Sequence, residues 1–177
     1  MIILDTDIAS AFAKVSALDA LANLLSTRHE ICITPKLYEE LQVPLAFGYD
    51  FPKKIFARVK VLDLSAEEQK EYRSLLGQFP TVGKGELEAI VVCKRRQGIF
   101  SSLDRQALRV AASQGIPTLP LGAILLEFFE RRVYSKAELQ ALVAEINRAD
   151  NRHGVAGLNQ RRIPLLRVCA WFQPLII

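Results

Sequence analysis

Met1-Ile2-Ile3-Leu4-Asp5-Thr6-Asp7 decides how the rest of the chain is read: an apolar run that stops abruptly at two acids flanking a threonine. A continuous apolar run without alternation suits a strand buried on both faces, as in a parallel sheet covered by helices. In open α/β sheets ligands gather outside the carboxyl ends of the strands, so an acid placed there predicts a site. The question is which other acids join Asp5.

Outward from that strand, the pattern alternates. Residues 9–26 read as helix, with Ser16 and Asp19 spaced as a capping box that restarts it. Residues 30–34 read as a second strand, and Thr34-Pro35 as the N-cap and first residue of a helix over 35–42. Residues 43–58 read as a loop that interleaves Phe47, Tyr49, Phe51 and Phe56 with Lys53, Lys54 and Arg58. Two readings stay open there: rings that stack on a nucleic-acid strand, or rings packed on the core with the cations in water. Residues 59–64 alternate as a strand, and Ser65 with Glu68 opens a helix to about residue 76 through a capping box.

Thr81-Val82-Gly83-Lys84-Gly85-Glu86 opens a further helix ending at Gly98. The Gly-Lys-Gly is not a phosphate-binding loop, which needs Ser or Thr after the lysine and a strand directly before. The glycines are expected to let the backbone turn tightly, which places Glu86 in a first helical turn where the dipole favours an anion. A strand over 99–103 leads to Asp104 and a helix to about Gln114, closed by Gly115. An edge strand over 116–119 and helices over 121–132 and 135–149 follow, the last with Ser135 and Glu138 as a capping box. Alternation this regular implies an α/β fold, a three-layer αβα sandwich with a central parallel sheet. That domain is expected over 1–132, with an additional C-terminal helix over 133–150. Residues 151–177 form a basic and apolar tail to which no role is assigned.

The totals narrow the function. The chain has 177 residues, half of them apolar, enough for one core. Its net charge of +4 comes entirely from Arg152, Arg161, Arg162 and Arg167, because residues 1–150 carry 19 cations and 19 acids. Net charge is therefore weak evidence for nucleic acid; a binding surface has to be a local patch. Cys32, Cys93 and Cys169 are odd in number and widely spaced, which predicts reduced thiols in a cytoplasmic protein. No leader sequence and no membrane-spanning run is read.

Four acids stand at element ends: Asp5 and Asp104 after strands, Glu40 late in a helix and Glu86 at a helix start. Brought into one crevice they would repel one another and raise each other's pKa. A hard divalent cation, Mg²⁺ or Mn²⁺, removes that conflict, since such ions take carboxylate and water oxygens. Asp7 either joins the site or caps the following helix. Thr6, Ser10 and Ser102 either orient the carboxylates and water or serve as caps. His29 and His153 read as surface residues, so no histidine is placed to act as a base.

The ordered set Ile-Leu-Asp5-Thr, Thr-Pro-x-x-Tyr-Glu-Glu40-Leu, Gly-x-Gly-Glu86-x-x-Ala-Ile and Ser-x-Asp104-x-x-x-x-Arg109-x-Ala resembles a prokaryotic PIN-domain protein over about residues 2–130. The resemblance implies a parallel αβα sandwich, dependence on Mg²⁺ or Mn²⁺, and endoribonuclease activity on single-stranded RNA. The toxin half of a VapBC-type toxin–antitoxin pair is the implied setting, with a small antitoxin protein as partner and a homodimer as the implied assembly. Asp5, Glu40, Glu86 and Asp104 carry over as the catalytic acids, with Asp5, Glu86 and Asp104 as metal ligands. Asp104 departs from many members in being flanked by Leu103 and Arg105, with no second acid or Asn beside it. Lys84, Arg105 and Arg109 are the local cations expected to meet the substrate.

Two rivals are weighed. A haloacid-dehalogenase-type phosphatase would use Asp5-x-Asp7 as nucleophile and general acid. That family wants Thr or Val where Ala9 stands, and a later Lys with an acidic pair, and no two aspartates are adjacent in the chain. The other rival is a catalytically inactive PIN-like module that binds RNA or protein without cutting.

Overall fold

The computed structural model of the chain describes residues 1–152. Its elements follow the order β1 (Ile2–Leu4), α1 (Thr6–Lys14), α2 (Leu18–Ser26), β2 (Ile31–Ile33), α3 (Pro35–Ala46), α4 (Phe51–Phe56), β3 (Lys60–Val61), α5 (Ala66–Gln78), α6 (Lys84–Arg96), β4 (Ile99–Ser101), α7 (Arg105–Ser113), α8 (Leu121–Glu130) and α9 (Lys136–Arg152). The four strands pair in the order β3-β2-β1-β4, all parallel. An isolated parallel bridge, Phe100 to Thr118, extends the sheet beyond β4. This is the three-layer αβα sandwich read from the sequence.

The strand order has one consequence for function. From β1 the chain builds outward through β2 to β3, then crosses back to lay β4 on the other side of β1. The reversal falls between β1 and β4, and a crevice opens at the carboxyl ends of strands at such a switch point. Asp5 follows β1 there and continues its ladder by one bond, donating its N–H to the Ser101 carbonyl at 2.9 Å. Asp104 follows β4 on the adjacent side.

Helix α6 organises one helical layer. Every residue from Gly85 to Cys93 is buried, and the helix packs on β1 and β4 with α3, α5 and α7 around it. A helix buried on all sides has to be apolar on all sides. Glu86 and Glu88 are the exceptions. A second helical group centres on α1, which packs with α2, α4 and α9; Leu139, Val143 and Ile146 of α9 are wholly buried in the common core.

Several local expectations are corrected. Ser16 does not cap α2. It adopts φ +57°, and with Ser16 N bonded to the Ala13 carbonyl and Ala17 N to that of Phe12 it closes α1 as the left-handed residue of a Schellman motif. Helix α1 begins at Thr6, so Asp5 is its N-cap and Asp7 lies in its first turn. Helix α3 runs past Gln42 to Ala46, with Pro44 tolerated in its last turns, and residues 51–56 of the expected loop are helical. Phe56 packs on Tyr38 with the rings tilted and their centroids 4.6 Å apart, Lys14 sits over Phe51, and Phe47 before this helix is 73% exposed. Strand β3 is only two residues long, as suits a sheet edge. The boxes at Ser65/Glu68 and Ser135/Glu138 form as read.

Candidate active site

Asp5 is 2% exposed. Its Oδ1 accepts from the Thr6 N–H at 2.8 Å, and its Oδ2 accepts from the Ser102 hydroxyl at 2.8 Å. Ser102, also fully buried, accepts in turn from the Asp104 N–H at 2.9 Å. One serine thus ties the acid after β1 to the loop after β4. Burial drives the Asp5 pKa well above the ordinary range, the negative charges of Asp7 and then Glu86 push it further, and the Ser102 and Thr6 bonds offset part of this. Its foremost charged neighbours are acids, a strained arrangement for a buried carboxylate.

Glu40 enters from α3. Much of its side chain is exposed, but its carboxylate end lies over the start of α6, where it accepts from the Gly85 N–H and from the Thr6 hydroxyl at 3.4 Å. Desolvation of that end raises its pKa, the Gly85 and Thr6 bonds lower it, and Asp7 raises it again. Thr6 stands between Asp5 and Glu40, its hydroxyl 3.5 Å from Asp5 Oδ1.

Glu86 is buried in the first turn of α6, and its Oε2 accepts from the Gly83 N–H at 2.9 Å. Of the two glycines before it, Gly85 is required for space and Gly83 leaves Glu86 a close fit, and neither is there for the turn. Gly83 has φ −58°, open to any residue, but a Cβ on it would lie 3.0 Å from Glu86 Oε2. A Cβ on Gly85 would lie 2.6 Å from Leu37 Cδ2 and 2.7 Å from Glu40 Oε1. Asp104 is buried as the N-cap of α7, its Oδ1 accepting from Gln106 N at 2.6 Å and Ala107 N at 3.3 Å. Gln106 reaches back to the Thr81 hydroxyl at 2.6 Å, pinning the loop before α6 to the start of α7.

The remaining candidates spread around this centre. Asp7 is exposed on the first turn of α1, near enough to act on both Asp5 and Glu40. Ser10 is half-buried one turn farther along α1, outside this network. Lys84 and Arg105 are exposed at the first residues of α6 and α7, and Arg109 follows one turn along α7, its Nε donating to the Arg105 carbonyl. His29 is half-buried at the opposite edge of the sheet, where Arg28, Arg58 and Lys60 line a shallow cleft of about 790 Å³. His153 and Cys169 lie outside the described residues. Cys32 and Cys93 are buried free thiols, and burial pushes them up to about 11 and about 12.

Two features escaped sequence reading. One is Glu88, buried on α6, whose Oε2 accepts from the Lys36 N–H at 2.7 Å. The other is Thr34: it is the N-cap of α3, as its sequence suggests, yet its hydroxyl oxygen is buried and unbonded. An orphan of that kind costs about 1–3 kcal/mol. The only signal available was an acid placed mid-way through an otherwise apolar helix.

Among the described residues, no three His, Cys, Asp or Glu side chains stand close enough together to hold a metal ion. Asp5, Glu86 and Asp104 do not form a closed ligand set in this geometry, and each has an oxygen engaged by a backbone N–H: Thr6, Gly83 and Gln106 respectively. The donor chemistry nonetheless suits a hard cation. All the donors are carboxylate oxygens, and the foremost charges acting on Asp5 are repulsive until a cation offsets them.

The chain is thus a parallel αβα sandwich with acids gathered at its switch point. The sequence profile of the family DUF3368, a PIN domain, matches residues 1–161, and the chain belongs to that family. PIN domains are generally nucleases and typically bind Mg²⁺ or Mn²⁺. The phosphatase rival falls with this assignment. No curated protein and no solved structure matches the chain. Among the described residues no helix is long and apolar enough to cross a membrane.

Proposed function

We propose that the chain is a metal-dependent endoribonuclease that hydrolyses phosphodiester bonds in single-stranded RNA and serves as the toxin of a toxin–antitoxin pair. The observation that carries this reading is the state of Asp5: sealed from water at the switch point, pressed by Asp7 and Glu86, and tied through Ser102 to the Asp104 loop. A buried acid so placed is tuned for a cation and not for the stability of the fold.

Asp5, Glu86 and Asp104 would hold the Mg²⁺ or Mn²⁺, which when bound supplies Lewis acidity for hydrolysis by water. Glu40 completes the acidic wall over Gly85. Thr6 and Ser102 fix the rotamers of the acids they bond, while Asp7 and Ser10 line the approach along α1. Lys84 and Arg105, exposed at the starts of α6 and α7, and Arg109 one turn along α7 would receive the phosphate backbone, and their contribution would weaken as salt rises. The antitoxin and homodimer readings draw support from exposed apolar residues, Val43 on α3, Phe47 at its C-cap and Leu126 on α8.

The test is cleavage of end-labelled single-stranded RNA with Mn²⁺ or Mg²⁺ by wild type, Asp5→Asn and Asp104→Asn. Wild type is expected to cut and both variants to fall by at least about a hundredfold; equal cleavage by all three removes the assignment. The spacing of the acids favours one second reading, an inactive module that binds without cutting. Calorimetric titration with Mn²⁺ separates the two, since a pure binding module takes up no ion at Asp5.

A further inference from the structure

Glu88 lies two residues beyond Glu86, about 200° farther round α6, and so faces α3 where Glu86 faces the site. The Lys36 N–H that it accepts belongs to the second residue of α3, a donor that an N-cap side chain ordinarily takes. Thr34 occupies the N-cap, and its hydroxyl is left buried without a partner. The cap of α3 is therefore supplied by another helix, 52 residues away in sequence. The Lys36 ammonium group pairs with Glu39 and feels the Glu88 charge only as a lesser effect.

One turn along α3 stands Glu40, and one turn back along α6 stands Gly85, whose N–H the Glu40 carboxylate accepts. The two helices approach so closely here that a Cβ on Gly85 would collide with Leu37 and Glu40. Gly85 and Glu88, three residues apart on α6, thus grip Glu40 and Lys36, four apart on α3, each pair about one turn apart on its helix. We propose that Glu88 is a positioning residue for Glu40: by capping α3 from α6 it fixes the distance between the helices and hence the seat of the Glu40 carboxylate over Gly85 and Thr6. A local cap was available in Thr34; only the remote cap couples the two helices. The consequence for turnover rests on the nuclease reading above, but the geometric claim does not.

The experiment measures amide hydrogen exchange in the metal-free full chain, alongside RNA cleavage with Mn²⁺. All variants are made in a Thr34→Val background, so that the hydroxyl cannot take over the vacated N–H. Glu88→Ala is expected to lower protection of the Lys36 and Gly85 amides by about tenfold or more while Ile90 and Val91 in the middle of α6 stay unchanged, a local opening and not a global one. Glu88→Gln, whose amide oxygen still accepts from Lys36, is expected to retain protection at both positions. In cleavage, Glu88→Ala is expected to lose about tenfold in kcat with KM unchanged, as misplacement of a reacting group does, and Glu88→Gln to recover it. Should Glu88→Ala fail to fold, Glu88→Met keeps the volume without the acceptor and carries the same comparison. Unchanged Gly85 protection, or a loss shared equally by Ile90 and Val91, overturns the proposal. A wild type that cuts no RNA would remove the nuclease reading and leave the exchange result to decide the role of Glu88.

Discussion

Two groups of glutamates and aspartates lie on either side of α6 and experience opposite fields. On its outer flank, against α5, Glu68 is almost fully buried and takes two bonds from Arg96 at 2.7 Å, while Glu71 receives Lys94 at 2.8 Å and Arg95 at 2.5 Å. The Arg96 bonds hold Glu68 below the usual carboxylate range, and Lys94 foremost does the same for Glu71. At the end of the sheet, burial and neighbouring acids drive Asp5 the other way. The first group is built to hold two helices together; the second gives up stability to keep charge concentrated in a crevice.

The sharpest way to break this comparison is Asp5→Asn. If the Asp5 charge opposes folding and serves chemistry, removing it acts in two directions at once. RNA cleavage is expected to fall by at least about a hundredfold. The metal-free protein at pH 7 is expected to melt higher, by about 3 °C for each kcal/mol of repulsion relieved. Asparagine still accepts from Thr6 N, and its amide can donate to Ser102, so the link to Asp104 survives. Thermal melts with and without EDTA check it. A lower melting temperature would mean that Asp5 is a structural acid.

Next in size is Gly85→Ala, which tests whether crowding at the site is functional. Leu37 is fully buried and cannot yield freely, so the added methyl displaces Glu40, the side chain with room to move. Cleavage is expected to drop by about tenfold, with a stability cost of about 1–3 kcal/mol from overpacking. Parallel kinetics and urea melts separate the two effects.

The opposite flank gives the converse result. Arg96→Ala leaves Glu68 buried without its bidentate partner, at a cost of about 2 kcal/mol, below the figure for a fully sealed pair because Arg96 is itself about a third exposed. Cleavage per folded molecule is expected to stay unchanged. Urea unfolding followed by circular dichroism measures the first, and assays at low temperature the second.

The part of this contrast legible in the sequence was the part encoded by position along one element. Strands β1 and β4 announced themselves as apolar runs ending in Asp5 and near Asp104, and Ser65 and Glu68 carried their cap in their spacing. What stayed hidden depended on which helix lies beside which. Glu88 reads as one more acid in α6 until α3 is seen beside it, and the Gly83-Lys84-Gly85 segment reads as a turn until Leu37 and Glu40 are seen against it. The same holds for Ser16: a hydroxyl three residues before an acid fits a cap, but the backbone bonds from Ser16 and Ala17 into α1 prevailed. Helix α4 was obscured because Pro44, Gly48 and Pro52 punctuate the stretch, although Pro52 sits in the first turn, where proline is tolerated.

The smallest effect, and the one that weighs both groups together, is the pH dependence of stability in the metal-free protein. Asp5 and Glu40 have raised folded values, so between the ordinary carboxylate pKa and those values the folded state binds more protons than the unfolded chain. Stability from that end of the molecule therefore falls as pH rises through the window above about pH 4. Glu68 and Glu71 have depressed folded values, so their contribution is complete above the ordinary carboxylate pKa and is lost as pH falls through the depressed ones. The two limbs meet in a maximum of stability on the acid side of neutrality, with each proton of difference giving a slope of about 1.4 kcal/mol per pH unit. Asp5→Asn is expected to flatten the alkaline limb alone, Arg96→Ala the acid limb alone, and Mn²⁺ to lift stability only where Asp5 is ionised. Urea midpoints from pH 3 to 8 measure all three; an alkaline limb unaffected by Asp5→Asn would show that the acids at the sheet end do not share one field.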